Sequence, residues 1–600
     1  MAFKNRYPNI NYTSRDFNTI RRDLIEYAKR YYPNSFQDFS ESGFGSLMVD
    51  SVAYIGDILS FYLDYNVNES FLDTANEYGN IVKLGNQMGF KFPGIAASFG
   101  SVDLYVIVPA NSVGSSPDSS YMPILKRGST FSSTSNVNYA LLEDVNFADT
   151  SNEIVVARVD SDTGNPTHFA VKTSGQVISG IVDVEEIEVG NFQRFLRLEL
   201  DAENITEIIS VTDAQGNQYY EVDYLSQDVV YRATTNRGTQ NEVTQASLRP
   251  FAVPRRFVIE RDQFTTFLQF GFGTEINDDD VEPLIDPSKA VLKMHGKDYY
   301  SDANFDPYNL LKTDKLGVVP SNTTLSVVYR ANTSDSTNDG ANSIVNVVDS
   351  SFEFPDEAAI VSTERSEVIS SLEVNNPNPI VGQTSLPSSG ELKERIYNVF
   401  STQNRAVTQE DYKILSYSMP TKFGSIKRAS VKRDPNSFKR NLNLYILSED
   451  TNGNFTRANN VIKENLKNWL NSSRMINDAI NILDAKIVNL GINFTAVAAL
   501  GVNKFEVLTS ATEVLQSFYS QKLEIGEPFY ISDIYSQLNK LNGIVDVTRV
   551  NIAHKSGENY SSTAFDIDEM TSDDGMYINA PDNVVFEVKF PAIDIKGTIK

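Results

Sequence analysis

The chain has 600 residues, too many for one hydrophobic core, because domains usually hold about 100–200 residues; three to five domains are expected. Hydrophobic residues make up 41% and charged residues 22%, ordinary values for a folded globular chain and unlike those of a disordered one. A net charge of −26 argues against a general nucleic-acid coat, the absence of cysteine excludes disulfides, thiolate metal sites and cysteine nucleophiles, and the three histidines (His168, His295 and His554) are too few for a histidine-rich metal site.

Charge is uneven along the chain. Residues 1–95 balance at −2, residues 96–387 hold 19 basic against 42 acidic groups for −23, residues 388–550 balance at +4, and residues 551–600 at −5. Two readings stay open. The acidic middle is a solvated surface kept apart by self-repulsion, or the near-neutral ends are where other chains dock, since charge is depleted at interface cores. No uninterrupted run of about 18 apolar residues occurs, so no transmembrane helix is expected. The opening MAFKNRYPNINYTS lacks the apolar centre of a secretory signal.

The first 95 residues read as helices. Thr13 or Ser14 is the expected N-cap, with Asp16 in the first turn, and Phe17, Ile20, Leu24, Ala28 and Tyr31 follow at helical spacing before Pro33. From about Gly45 to Leu63 the pattern differs. Leu47, Met48, Val49, Val52, Tyr54, Ile55, Ile58, Leu59, Phe61, Tyr62 and Leu63 cover most of a helix circumference, relieved by Asp50, Asp57 and small residues. Such a rod must be enclosed on several sides. One further helix, about 74–89, covers it poorly, so helices of partner chains are expected to complete the bundle; a self-contained three-helix domain is the alternative. Leu47, Met48, Val52, Ile55, Leu59 and Tyr62 are the expected partner-bundle residues.

From Ser101 the period changes to two. Val102, Leu104, Val106 and Val108 alternate with Asp103, Tyr105 and Ile107, and a turn at Asp213–Asn217 joins two strands. Antiparallel sheets of one or two β domains fit best. The stretch Asn375–Gly390 is rich in Asn, Pro, Ser and Gly and reads as a linker. Beyond it, helices and strands mix. Thr408 is an N-cap candidate before Glu410, Asp411 and Tyr412, a helix is expected at about Asn460–Leu470, and Val488, Leu490, Ile492, Phe494, Ala496 and Ala498 alternate cleanly. Thr509 and Ser532 are candidate caps for two more helices, with Gly543 after the second. The fold class is therefore multidomain α+β: an N-terminal helical bundle segment (1–95), an antiparallel β-rich middle (96–290 and 291–387), and C-terminal α+β domains (388–480 and 481–600).

Catalytic signals are weak. Phe270–Gly273 lacks the third glycine and the lysine of phosphate-binding loops and reads as a turn. Asp278, Asp279, Asp280 and Glu282 do not match the spacing of a calcium loop, and no nucleophile elbow or His-Glu-x-x-His zinc motif is present. No cofactor, metal or catalytic residue is assigned. A basic run is more informative: Lys422, Lys427, Arg428, Lys432, Arg433, Lys439 and Arg440. It is either a solvated strand-loop-strand or an inter-subunit contact facing an acidic patch, with Lys427, Arg428, Lys432, Arg433, Lys439 and Arg440 as contact candidates. Nucleic acid is a poorer partner, because aromatic interleaving is thin.

The stretches INYTSRDFNTIRRDLIEYAKRYYP and SGFGSLMVDSVAYIGDILSFYLDYNVNESFLDTA resemble the start of the baseplate wedge subunits of T-even-type myoviruses, the gene-six product family. NRAVTQEDYKILSYSMP, Asn404–Pro420, is similar to the wider baseplate J-like family of contractile tails. The resemblance spans both ends, while the acidic middle matches only in β character and position. It implies a non-catalytic structural protein of the virion, in the tail baseplate, assembled in the host cytoplasm. Its implied partners are a second copy within a wedge, a ring of wedges around the tail tube, and other baseplate wedge proteins, with no nucleic acid and no membrane insertion. The family's N-terminal helices enter a bundle with other wedge subunits, and its ring changes diameter when the sheath contracts. The competing class is a tail-associated glycan-degrading enzyme or a receptor-binding adhesin; the first needs a carboxylate pair in a deep cleft, and the second usually shows fibrous repeats, which are not evident.

Overall fold

The computed structural model describes residues 15–32, 43–111, 116–162, 164–235, 246–262, 265–273, 316–334, 336–355, 357, 360–435, 437 and 441–600. The chain is a mixed α+β, multidomain protein that divides into two compact units. One holds residues 1–90 and 387–397, the other residues 91–386 and 398–600.

The first unit is helical. α1 (Phe17–Tyr31) is capped by Asp16, whose carboxylate accepts from the Thr19 N–H. Asp16 therefore stands outside the helix, not in its first turn, and Thr13, Ser14 and Pro33 lie outside the described residues. α2 (Phe44–Glu69) is longer than expected at both ends, and α3 (Tyr78–Gln87) is shorter. α3 buries Ile81, Val82 and Gly85. Its cover comes from far along the sequence: a Cβ at Gly85 would lie 2.8 Å from the Ile396 side chain, and Lys393 donates to the Asp73 carbonyl at 3.0 Å. By length and composition α2 is able to cross a membrane, contrary to the expectation above. Single aspartates interrupt its apolar surface often enough to break every uninterrupted run.

In the second unit, the β-rich middle forms two seven-stranded sheets. The strands of the first are β1 (Phe99–Pro109), β2 (Thr130–Ser133), β3 (Asn138–Leu141), β4 (Glu153–Val159), β5 (Pro166–Ser179), and, from further along, β13 (Ile344–Asp349) and β14 (Glu373–Asn375). Those of the second are β6 (Ile181–Val189), β7 (Arg197–Glu199), β8 (Ile205–Asp213), β9 (Gln218–Glu221), β10 (Arg256–Arg261), β11 (Thr266–Phe270) and β12 (Thr323–Ala331). Their orders are β13-β2-β3-β5-β1-β14, with β4 also on β5, and β6-β12-β8-β9-β10-β11-β7. The strands Thr323–Ala331, Ile344–Asp349 and Glu373–Asn375 thus join the two earlier sheets and make none of their own. The first sheet wraps a core of Val102, Leu104, Val106, Phe131, Tyr139, Val171, Val177 and Ile344. The Asn376 side chain closes it, accepting from the backbone N–H of Ser343 and Ile344 at 2.8 Å each. Asn375–Gly390 is consequently packed at its start: Asn376, Ile380 and Val381 are buried. A loose linker does not describe that part.

Next come α4 (Ser362–Ser370), α5 (Ser389–Thr402), α6 (Gln409–Tyr417) and α7 (Asn460–Asn471), with β15 (Arg428–Arg433), β16 (Asn441–Glu449) and β17 (Ala479–Asp484). β15 and β17 flank β16, antiparallel and parallel respectively. Apolar residues of α6 and α7, including Tyr412, Leu415, Ile462, Leu466 and Leu470, pack on Leu444 and Ile446. The C-terminal layer is built on β18 (Lys486–Ala498), whose neighbours are β19 (Ile544–Lys555), β20 (Val584–Glu587) and β21 (Ile595–Ile599). α8 (Lys504–Phe518) and α9 (Ile531–Asn539) cover it through Leu515, Ile534 and Leu538. Asn503 caps α8 through the Phe505 N–H, and α9 begins at Ile531 after Tyr530, so neither Thr509 nor Ser532 is the cap.

Candidate partner-binding surface

α2 is built inside out. Asp50, Asp57 and Asp64 recur every seven residues, and Ser46, Ala53, Gly56 and Ser60 fall in the same stripe, because seven residues make about two turns. This polar, small-residue stripe faces α1. Ser46 and Ala53 are the buried residues of α2, and a Cβ at Gly56 would meet the Ile20 side chain at 3.3 Å. Arg21 pairs with Asp50 and donates to the Ser46 hydroxyl at 3.3 Å. Arg15 donates to both Asp64 oxygens at 2.9 Å. Ion pairs this exposed stabilise by about 0–1 kcal/mol each, so they set the register of α1 more than they hold it.

The apolar surface of α2 is left outside. Leu47, Met48, Val52, Ile55, Leu59 and Tyr62 are 49–61% exposed. Phe44, Tyr54, Phe61, Leu63 and Val67 are exposed too, although the expected interface set omitted them, and Tyr27, Tyr31 and Tyr32 extend the bare surface onto α1 and its end. α1 itself has no buried residue. Monomeric proteins rarely leave so many large apolar side chains of one helix open.

The basic run takes a different role from the expected one. Lys427 is buried, pairs with Glu449 at 3.1 Å and donates to the Ser385 hydroxyl. Arg428 is buried as well. It pairs with Glu524 at 3.1 Å and donates to the carbonyls of Lys522 at 2.9 Å and Leu523 at 3.2 Å. Lys432 pairs with Asp582 at 3.0 Å. Lys427 and Arg428 are therefore not free contacts for another chain, since each is buried with its charge compensated within the chain, whereas the Lys432 side chain stays 44% exposed beside an exposed Asp582. Arg433 is exposed, and Lys439 and Arg440 lie outside the described residues.

The other candidates resolve similarly. Phe270–Gly273 is a packed turn: Phe272 is buried, Gly271 lies against the Leu316 and Gly317 carbonyls, and Gly273 bridges to Val318. Asp278, Asp279, Asp280, Glu282 and His295 lie outside the described residues. His168 is half-buried beside the Thr167 hydroxyl. A polar cleft of about 1200 Å³ is lined by Asp144, Glu153, Asp484 and Glu587 among others. Each of these four has a lysine: Lys126 with Asp144 at 3.0 Å, Lys172 with Glu153 at 4.0 Å, Lys463 with Asp484 and Lys522 with Glu587 at 2.7 Å. The Arg127 N–H and Lys126 hold the Asp144 carboxyl below its usual range, the opposite of what a proton donor requires. Among the described residues no group of three or more His, Cys, Asp or Glu side chains is placed to hold a metal ion.

Comparison with known proteins finds a family match on the helices. The sequence model of the bacteriophage baseplate protein N-terminal domain matches residues 16–87, which span α1 to α3. No curated protein matches the chain. Among solved structures, a chain of the anti-feeding prophage baseplate is similar with a TM-score of 0.25 and 10% identity, over 94% of this chain and 90% of that one. A chain of the type VI secretion system TssK-TssF-TssG baseplate subcomplex is similar with a TM-score of 0.24 and 9% identity, over 73% of this chain and 96% of that one.

Proposed function

We propose that this chain is a structural subunit of a contractile-tail baseplate, one that docks through α2 onto helices of other baseplate proteins. The observation that carries the reading is a coincidence: the segment matching a baseplate N-terminal domain contains the bare apolar helix. Burying the exposed half of each of the six expected interface residues is worth about 1 kcal/mol apiece, about 6 kcal/mol before ordering costs. The resemblance of both ends to wedge subunits supports the finer reading. In it, copies pair within a wedge, wedges join into a ring around the tail tube, and the ring couples baseplate rearrangement to sheath contraction in the virion. No catalytic step is part of this role.

The length and composition of α2 favour a second reading, insertion into a membrane. Asp50, Asp57 and Asp64 weigh against it, since a carboxylate at the bilayer centre costs about 2.5–3.5 kcal/mol. One experiment separates the two. Ile55→Asp or Leu59→Asp should abolish co-assembly with partner baseplate proteins while leaving the β-sheet circular dichroism intact. Unchanged assembly would refute the α2 docking claim, and flotation of the wild-type chain with lipid vesicles would favour the membrane.

A further inference from the structure

β4 (Glu153–Val159) is apolar on both faces. Strand alternation sets Ile154 and Val156 on one side and Val155 on the other, with Val159 beyond the irregularity at Ala157. All four are exposed, at 47%, 48%, 63% and 59% respectively. One edge of β4 pairs with β5, regularly from Glu153↔Lys172 to Val156↔Phe169 and irregularly around Ala157. Among the described residues it pairs with no other strand. Its outer backbone groups therefore form an open ladder beside β-branched side chains, a template for another strand.

We propose that β4 pairs antiparallel with β4 of a second copy of this chain, about a two-fold axis at Val155. A two-fold antiparallel pair must set one residue opposite its own mate. With Val155 there, Ile154 faces Val156 of the second copy, and Glu153 faces Ala157. The bare apolar residues then lie in register, and no like charges oppose each other. β6 (Ile181–Val189), an end strand of the other sheet, shows the contrast. It also exposes Ile181, Val182 and Val184. Every two-fold register centred between residues 183 and 187 sets carboxylate on carboxylate: Asp183, Glu185 or Glu186 on itself, Asp183 on Glu185, or Glu186 on Glu188. Like charges directly opposite repel. One edge refuses a copy of itself and the other accepts it, so the occupant of β4 is another β4 and the product is a continuous sheet through the axis.

The pairing concerns the chain alone and does not rest on the baseplate reading. Its test uses the full chain with Ile55→Asp in the background, so that α2 does not contribute to association. The chain has no cysteine, so Val155→Cys carries a single thiol. Facing residues of an antiparallel pair are about 4.5–5.5 Å apart between Cα atoms, within disulfide reach. Mild oxidation should give a covalent dimer from Val155→Cys about tenfold faster than from Glu153→Cys, whose mate is not opposite. Val155→Lys sets two ammonium groups on the axis, and sedimentation should show dimer affinity falling about tenfold or more. A chain that stays monomeric, equal crosslinking at both positions, a dimer indifferent to Val155→Lys, or capture of another protein's strand in place of a second copy each overturns the proposal.

Discussion

Single carboxylates in the acidic middle differ in sign. Glu185 on β6 has its carboxyl held above the usual range, chiefly by burial, with the charges of Asp201 and Asp183 adding to it and the Asp201 N–H opposing it. The folded chain therefore holds that proton to higher pH than the unfolded chain does, and stability contributed at this position is lost as pH rises from the ordinary carboxylate value through the folded one. Asp144, lowered by the Arg127 N–H and Lys126, runs the other way. Glu185→Gln keeps an acceptor for the Asp201 N–H, which lies 3.2 Å from the Glu185 carboxylate. It should raise the melting temperature at neutral pH and leave it unchanged at about pH 3.5, where both states are protonated. Thermal melts at the two pH values check this; an equal rise at both would assign the effect to packing and not to charge.

Helix caps are local signals, but where several polar residues compete the sequence does not say which one caps: Thr408 caps α6 as expected, whereas Asp16 and Asn503, not Thr13, Ser14 or Thr509, lie at the starts of α1 and α8. Thr408 accepts from the Asp411 N–H at 3.2 Å, and Asp411 accepts from the Thr408 N–H at 2.8 Å. This reciprocal box lies within four residues, which makes Thr408 legible as a cap candidate, while the return bond from Asp411 comes from the structure. Thr408→Ala should cost about 1 kcal/mol, read as a lower melting temperature with hydrogen exchange speeding up first in α6. α8 starts at Lys504, five residues before the expected cap Thr509, and Val507 is already buried; its true start depends on tertiary burial that the local sequence does not show. The same limit governs the candidate surface. The bare residues of α2 follow from its composition, but the stripe that α1 covers depends on Arg15 and Arg21, whose partners lie 49 and 29 positions away. Strand alternation located many strands of the middle, yet Ile344–Asp349 and Glu373–Asn375 join a sheet begun at Phe99, and period-two patterning carries no information about which strands pair.

At the scale of the molecule, the basic run explains how the second unit holds its last layer. β17 passes into β18 with only Ala485 between them, and Ala485 is buried with Leu447, Phe455, Ile525 and Val585. That apolar cluster is small, so direction must come from polar contacts around it. Arg428 supplies donors for two carbonyls of the 522–523 segment and for Glu524, which Lys413 also meets at 3.3 Å; Lys432 holds Asp582 on the far side. A methionine keeps most of the length of Arg428 but donates nothing. Arg428→Met removes the donors of two partly buried carbonyls and leaves Glu524 with one cation, at a cost of about 2–3 kcal/mol. The loss should be local: amides of residues 520–527 and of β20 should exchange faster, while those of β1, β5 and α1 to α3 keep their rates. Uniform acceleration along the chain would mean that Arg428 supports the whole unit. Exchange confined to the last layer would make β15 its clasp, a role for the positive charge that needs no second molecule.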